Sequence, residues 1–243
     1  MGGAFFWGLV AASSLIAGGA FALSFRISQR NLGLVMGFGS GVLISAVAYE
    51  LALEAFETSS HTWHVAAGLF AGSFTFFVGD ALIDRMGGER RKDSEGAQAD
   101  GSALAIVLGT VLDGIPESAV IGLGLLQGEG VSAAFVVAVF VSNVPEAIAA
   151  TTGLAQSGWS GPKITGLWAA VTVVSGVAAL AGYAFLDGAG PAVLAFVLAF
   201  AGGAVLTMLA DTMMPEAFQH GGRLTGVVTT FGFAVAFALS VLE

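Results

Sequence analysis

The stretch ALAIVLGTVLDGIPESAVIGLGLL, residues 103–126, decides the fold of this chain. It is long enough to cross a bilayer as one helix, which takes about 20 mostly apolar residues, and its only charged side chains are Asp113 and Glu117. Similar apolar stretches recur on both sides of it. The sequence therefore predicts an all-α polytopic membrane protein, a single membrane domain of residues 1–243 with eight transmembrane helices. The predicted helices cover residues 5–25, 32–56, 63–84, 103–126, 131–156, 163–186, 190–218 and 222–242.

The composition excludes several classes of function. Of the 243 residues, 56% are hydrophobic and only 10% are charged, with a mean hydropathy of +0.88, whereas soluble domains carry about 25% charged residues. This low share of charged residues excludes a soluble enzyme. A nucleic-acid-binding protein is also excluded, because 8 Lys and Arg residues cannot form an anion-binding surface. The chain has no cysteine, so it has no thiolate metal site and no thiol nucleophile.

The basic residues predict the orientation in the membrane. All of them fall after odd-numbered predicted helices, on one side of the membrane, which the positive-inside rule makes cytoplasmic. They are Arg26, Arg30, Arg85, Arg90, Arg91, Lys92, Lys163 and Arg223. We expect a multi-pass protein of the cell (inner) membrane with both termini outside the cytoplasm. Residues 85–102, rich in glycine and charge, are predicted to form a flexible cytoplasmic loop.

Two segments of the chain resemble each other. Helix two ends in Glu54-Ala55-Phe56 and helix seven in Glu216-Ala217-Phe218. Further matches pair Phe38 with Phe200 and Gly41 with Gly203. The segments are five helices apart, so they cross the membrane in opposite directions. This pattern predicts an inverted repeat of helices 1–3 and 6–8 around helices 4–5, a common plan of secondary transporters. The alternative is a chance match between helices rich in glycine and alanine.

Acidic residues inside the predicted helices need compensation. Each costs about 2.5–3.5 kcal/mol to insert at the centre of a transmembrane helix, and no Lys or Arg lies deep enough to pair with the central ones. Bound cations, protons or trapped water are the remaining ways to compensate the charge. The acidic residues within the predicted helices include Glu50, Glu54, Asp80, Asp113, Glu117, Glu146, Asp211 and Glu216.

A central group of these acids predicts a metal site. Asp113 and Glu117 are four residues apart and share one face of helix four. The matching face of helix five carries Ser142, Asn143 and Glu146. Pro116 and Pro145 each free a backbone carbonyl four residues earlier. Carboxylate, amide, hydroxyl and carbonyl oxygens are the ligands that hard divalent cations prefer. The alternatives are a proton relay, or acids that burial keeps neutral.

The remaining acids predict a path through the membrane. Glu50 and Glu54, near the outer end of helix two, would form a mouth, and Asp211 and Glu216, with His220 nearby, an inner exit. The alternative for the acids at helix ends is that they simply reach the membrane interface. His61 and His64 are interpreted as solvated residues of an outer loop.

The paired motifs on helices four and five resemble those of the ZIP (Zrt/Irt-like) family of metal transporters. The motifs are Asp113-Gly114-Ile115-Pro116-Glu117 and Ser142-Asn143-Val144-Pro145-Glu146. The resemblance implies a three-plus-two-plus-three helix arrangement, a homodimer, possible elevator-type motion and uptake of zinc, iron or manganese into the cytoplasm.

The motifs also depart from the family pattern. The usual opening His-Asn of helix four is Asp113-Gly114 here, and Glu50 to Glu54 replaces a His-x-x-Pro-Glu motif. Helix six has Ser175 near the position where members with two adjacent metals use a glutamate, which implies a single metal. Sites with only oxygen ligands favour manganese, iron(II) or magnesium over zinc and copper.

The sequence therefore predicts a transporter that moves divalent metal cations, zinc or a similar ion such as manganese or iron, into the cytoplasm by alternating access. The metal is the substrate, the surroundings are membrane lipid, and neither an organic cofactor nor a nucleic-acid partner is expected. Enzymatic activity is not expected, because the Gly-x-Gly-Asp and His-Glu-x-x-His motifs of intramembrane hydrolases are missing from the sequence. The alternative is a metal sensor that kept the fold, or a carrier of protons or another cation.

Overall fold

The structure, a computed structural model, describes residues 2–59, 61–88, 103–126 and 131–242. These ranges contain helices and no strand. Eight helices are long and apolar enough to cross a membrane, so the prediction of an all-α, multi-pass membrane protein is confirmed. The helices are α1 (Gly2–Ser24), α2 (Gln29–Thr58), α3 (Thr62–Gly87), α4 (Leu104–Gly124), α5 (Ala133–Gln156), α6 (Gly161–Leu186), α7 (Pro191–Gly221) and α8 (Leu224–Leu242).

Polar caps shift the helix ends by a few residues from their predicted positions. α2 begins at Gln29 rather than 32 because the Ser28 side chain accepts a hydrogen bond from the Asn31 backbone N–H at 3.3 Å. Ser132 caps α5 in the same way, 3.0 Å from the Phe135 backbone nitrogen. Such caps satisfy backbone donors at the first turn. The capping residues are polar, so they fall outside the apolar stretches from which the helices were predicted.

The third helix is longer than its sequence indicated. α3 continues into a π-helical turn, Asp84–Gly88, and Gly87 within it has a φ of 90°. The first residues of the predicted loop of residues 85–102 lie in this turn, where Gly87 departs from helical geometry. Residues 89–102 lie outside the described part of the chain.

Two further π-helical segments interrupt long helices. Val47–Leu53 lies in α2 and carries Glu50, and Leu209–Met213 lies in α7 and carries Asp211. In α7 the cause is local: Pro215 has no N–H to donate to the carbonyl of Asp211. Single π turns inside α-helices occur frequently at functional sites.

Glycines bring pairs of helices into backbone contact. α3 packs on α7, and α2 on α8. A Cβ added at Gly72 would lie 1.8 Å from the carbonyl oxygen of Phe200, and one at Gly203 would lie 2.0 Å from that of Leu69. The same close approach joins α2 to α8, at Gly41 with Thr229 and at Gly232 with Phe38. Only glycine fits at these positions, as is typical of helix pairs in lipid.

The two ends of the bundle differ in charge. At one end α2 begins beside the end of α7, where a Cβ at Gly33 would lie 2.6 Å from the backbone nitrogen of Gly221. We name this end the basic face, because the Lys and Arg residues that the structure describes lie in or beside its helix connections: Arg26, Arg30, Arg85, Lys163 and Arg223. At the other end α1 begins, and α8 ends beside α2, where the Ser240 hydroxyl donates to Glu50. We name this end the terminal face.

Candidate metal site

All five residues of the predicted central site are buried in the middle of the bundle. Each is at most 7% exposed: Asp113 and Glu117 on α4, and Ser142, Asn143 and Glu146 on α5. Three carboxylates in that position are unusual, because acidic side chains are almost never fully buried without a partner. Their burial is a direct consequence of the spacing of four residues, which places each pair on one helix face.

Helices α2 and α6 pack around this central group. A Cβ added at Gly114, next to Asp113, would lie 3.7 Å from the Ser175 hydroxyl oxygen of α6. On the other side, a Cβ at Gly39 of α2 would lie 3.2 Å from the Cα atom of Ser142. The Ser142 hydroxyl donates to the carbonyl of Val139 at 3.0 Å, so its oxygen keeps lone pairs for another partner.

The predicted cage of three carboxylates stays a prediction. Within the described residues, no group of three or more His, Asp or Glu side chains lies close enough together to hold a metal ion. A metal here would take fewer carboxylates at a time, with the remaining positions filled by the Asn143 amide, the Ser142 hydroxyl or water. Such mixed oxygen ligands suit magnesium, manganese and calcium in particular.

A cavity leads from the terminal face toward this central group. Its volume is about 580 Å³, and Glu50 and Glu54 are part of its wall. Val120 and Ile121 also line it. They lie three and four residues after Glu117, so the cavity reaches within one helical turn of that carboxylate. An ion entering from the terminal face would therefore pass two acids before reaching the buried ones.

Both acids of the cavity wall accept hydrogen bonds. Ser240 of α8 donates its hydroxyl to Glu50, and Thr58 donates to Glu54 at 3.4 Å. Ser240 is a functional candidate that the sequence analysis missed. Its signal was weak, a single serine near the end of an otherwise apolar helix.

Toward the basic face, packed side chains follow the central group. Met213 of α7 is completely buried, and its terminal methyl would lie 3.0 Å from a Cβ at Gly39. The same glycine position touches Ser142, so α2, α5 and α7 meet there. The cavity therefore lies on the side of the terminal face, and Met213 packs against α2 beside Ser142.

The structure separates the residues of the predicted inner exit. Glu216 and His220 are together, with 2.8 Å between Oε1 and Nε2, in a pair that is mostly buried. Asp211 instead faces outward, into an apolar groove of about 590 Å³ between α3 and α7. The sequence pattern does not determine the side of the helix on which this residue lies.

Comparison with known proteins adds no assignment. No family model matches this chain, and no curated protein matches its sequence. The chemistry of the site is therefore argued from the residues and their positions.

Proposed function

We propose that the protein transports divalent metal cations, zinc or a similar ion such as manganese or iron(II), across the membrane into the cytoplasm. The observation that carries this proposal is a set of three buried carboxylates at mid-span beneath an acid-lined cavity. Acidic side chains inside transmembrane segments are rare and costly to insert, and they commonly mark ion pathways. The motif resemblance to the ZIP family points to the same substrate class.

Each residue has a role in this proposal. Glu50 and Glu54 attract the cation into the cavity, and the central residues on α4 and α5 replace part of its hydration shell. The terminal face supports this direction of capture, since its helix connections contain no Lys or Arg to repel a cation. Glu216 and His220 would receive the ion on its way out. Asp211 has no part in this path, because it faces the groove on the outside of the bundle.

The direction of transport rests on the charge difference between the two ends. By the positive-inside rule the basic face is cytoplasmic. Both termini and the cavity mouth are then outside the cytoplasm, and the protein lies in the cell (inner) membrane. In this proposal the cavity belongs to the outward-open state of an alternating-access cycle. The side chains packed around Met213 would separate in the inward-open state.

An inverted repeat of α1–α3 and α6–α8 would supply two equivalent states for this cycle. Matching contacts support it: Gly72 of α3 meets the carbonyl of Phe200 in α7, and Gly232 of α8 meets that of Phe38 in α2. The π-helical segments of α2 and α7 also support it. They begin 162 residues apart, the same spacing that separates Phe38 from Phe200.

Uptake into proteoliposomes tests the function. Zinc, manganese and iron(II) are offered separately, and the Glu117→Ala/Glu146→Ala double variant is compared with the native protein. Removing acids from the membrane interior lowers the insertion cost, so we expect the variant to fold and its uptake to fall to that of protein-free liposomes. Glu57→Gln, which neutralises an exposed acid, is the matched control and should transport normally. Unchanged flux in the double variant would reject the site.

A carrier of protons is the second candidate, because the described residues contain no group of three metal-binding side chains. A pH gradient applied without metal separates the two. Internal acidification that depends on Glu117 and persists in the presence of a metal chelator favours the proton carrier.

A further inference from the structure

Two histidine rings lie together at the terminal face, outside the path described above. His61 immediately precedes the first residue of α3, and His64 lies on its first turn. Their ring centroids are 5.8 Å apart. Neither ring lines the cavity, and neither takes part in the central group.

The hydroxyl of Ser59 fixes the protonation of one ring. Its oxygen lies 3.0 Å from the carbonyl oxygen of His61, to which the hydroxyl can donate its hydrogen. With its hydrogen placed there, Ser59 is the acceptor toward the Nδ1 atom of His64 at 2.9 Å. In this arrangement Nδ1 carries the proton, and the lone pair of neutral His64 is on Nε2.

This is how metal-binding histidines are commonly held. Such a histidine donates its other ring N–H to an oxygen acceptor, which fixes the tautomer and the ring orientation. The indole of Trp63 adds a second restraint, with its ring centroid 3.9 Å from that of His64. The ring is therefore positioned before any ligand arrives.

The distance between the rings fits one shared metal ion. Two imidazoles bound to a tetrahedral ion at about 2.0–2.1 Å have ring centroids roughly 5–6 Å apart. The observed 5.8 Å falls in that range. His61 is exposed, so its side chain can turn toward a common ligand without unpacking the helix.

The surroundings attract cations. Glu57 is exposed a few residues before the pair, and the connections at this face contain no Lys or Arg. Long-range attraction of this kind raises the local concentration of cations and the rate at which they bind.

We propose that His61 and His64 form a binding site for a divalent transition metal of the zinc, nickel and copper class, with Ser59 as a positioning residue and water as the remaining ligands. Imidazole favours these metals, whereas the oxygen ligands of the membrane site favour harder ions. The chain thus carries two cation sites of different chemistry. This second site does not depend on transport, and its test needs none.

Calorimetric titration with Ni²⁺ tests the site in the purified full-length chain. All proteins carry His220→Ala, which leaves His61 and His64 as the only imidazoles in the chain. We expect saturable binding that is lost in His61→Ala/His64→Ala. Thr62→Ala, an exposed residue between the two ligands, is the matched control and should bind as tightly as its parent. A Ni²⁺ binding isotherm that is unchanged by the loss of both histidines, or a histidine-dependent binding step that also disappears in Thr62→Ala, overturns the assignment.

Ser59→Ala separates a positioning role from a purely structural one. Loss of an outer hydrogen-bond partner lowers metal affinity by about 10–100-fold, so we expect that weakening with an unchanged thermal transition. Nitrogen NMR of histidine-labelled protein gives an independent readout. The His64 signal should show a protonated Nδ1 in the parent and lose that preference in Ser59→Ala. A His64 ring protonated at Nε2 in the parent would refute the proposed geometry.

Discussion

Gly72→Ala is the substitution whose effect the structure determines most directly. The added Cβ would lie 1.8 Å from the carbonyl oxygen of Phe200. That is about 1.7 Å closer than the optimal non-bonded separation of about 3.5 Å. The neighbour is a backbone atom, so no side-chain rotation can relieve the contact. α3 and α7 would have to separate.

The expected loss of stability follows from two opposing effects. Forcing extra atoms into a packed interior costs about 1–3 kcal/mol. We expect a cost at the upper end of this range for Gly72→Ala, because the added Cβ meets backbone atoms. Replacing glycine by alanine inside a helix stabilises the helix by about 0.5–1 kcal/mol. We therefore expect a net destabilisation of about 2 kcal/mol. For a chain of about 150–250 residues this lowers Tm by about 4–8 °C.

The measurement is thermal unfolding of the purified protein in one detergent, followed by tryptophan fluorescence and by loss of the monodisperse chromatographic peak. Gly166→Ala is the matched control, since a Cβ there meets nothing within 4 Å. It should melt at the native temperature or slightly above. Gly203→Ala forces the same two helices apart. The decrease in Tm of the Gly72→Ala/Gly203→Ala double variant should therefore be smaller than the sum of the decreases in the two single variants.

A Gly72→Ala protein that melts at or above the native temperature would refute this reasoning. The two helices would then be farther apart than the structure has them. Gly232→Ala should behave like Gly72→Ala if the α2–α8 and α3–α7 pairs are equivalent, and a much smaller effect there would count against the inverted repeat.

Three further predictions concern single side chains. Glu50→Gln keeps an acceptor for Ser240 but removes a charge from the cavity wall; metal uptake should show a raised KM with little change in maximal rate, and an unchanged KM would remove Glu50 from the path. Trp168→Phe deletes the buried hydrogen bond to Thr151 at 2.8 Å and should lower stability by about 1–3 kcal/mol, measured as a lower Tm. Gly222→Ala places a side chain where φ is 65° and ψ is −153°; this conformation costs about 1–3 kcal/mol for other residues, and a native Tm in the variant would contradict the turn at the end of α7.

The sequence predicted the membrane helices well because the signal for them is simple. An apolar stretch such as residues 103–126 must be helical in lipid, where no water can satisfy the backbone. The burial of Asp113, Glu117 and Glu146 follows from the same physics, since a carboxylate facing lipid is costly. Neither inference depends on which helices are neighbours in the bundle.

What the sequence could not predict depends on rotation and on neighbours. A π turn inserts one extra residue, which rotates the following part of the helix by about 100°. Asp211 lies within such a turn and faces outward. The bond from Ser240 to Glu50 joins residues 190 positions apart, so no local pattern could reveal it. The three carboxylates are buried on α4 and α5. Which of them can share an ion depends on how the helices pack, and no local sequence pattern specifies that packing.

The cavity at the terminal face also determines where a membrane voltage would act. Water that entered this cavity would carry the potential of the terminal face toward Glu117, so more of the voltage would drop between the central group and the basic face. Each unit charge crossing the full drop gains about 2.3 kcal/mol per 100 mV, and a dication gains twice that. If the protein transports a dication as proposed, most of this energy would act on the movement from the central group to the basic face, and transport that did not respond to an imposed voltage would place the electrical barrier elsewhere.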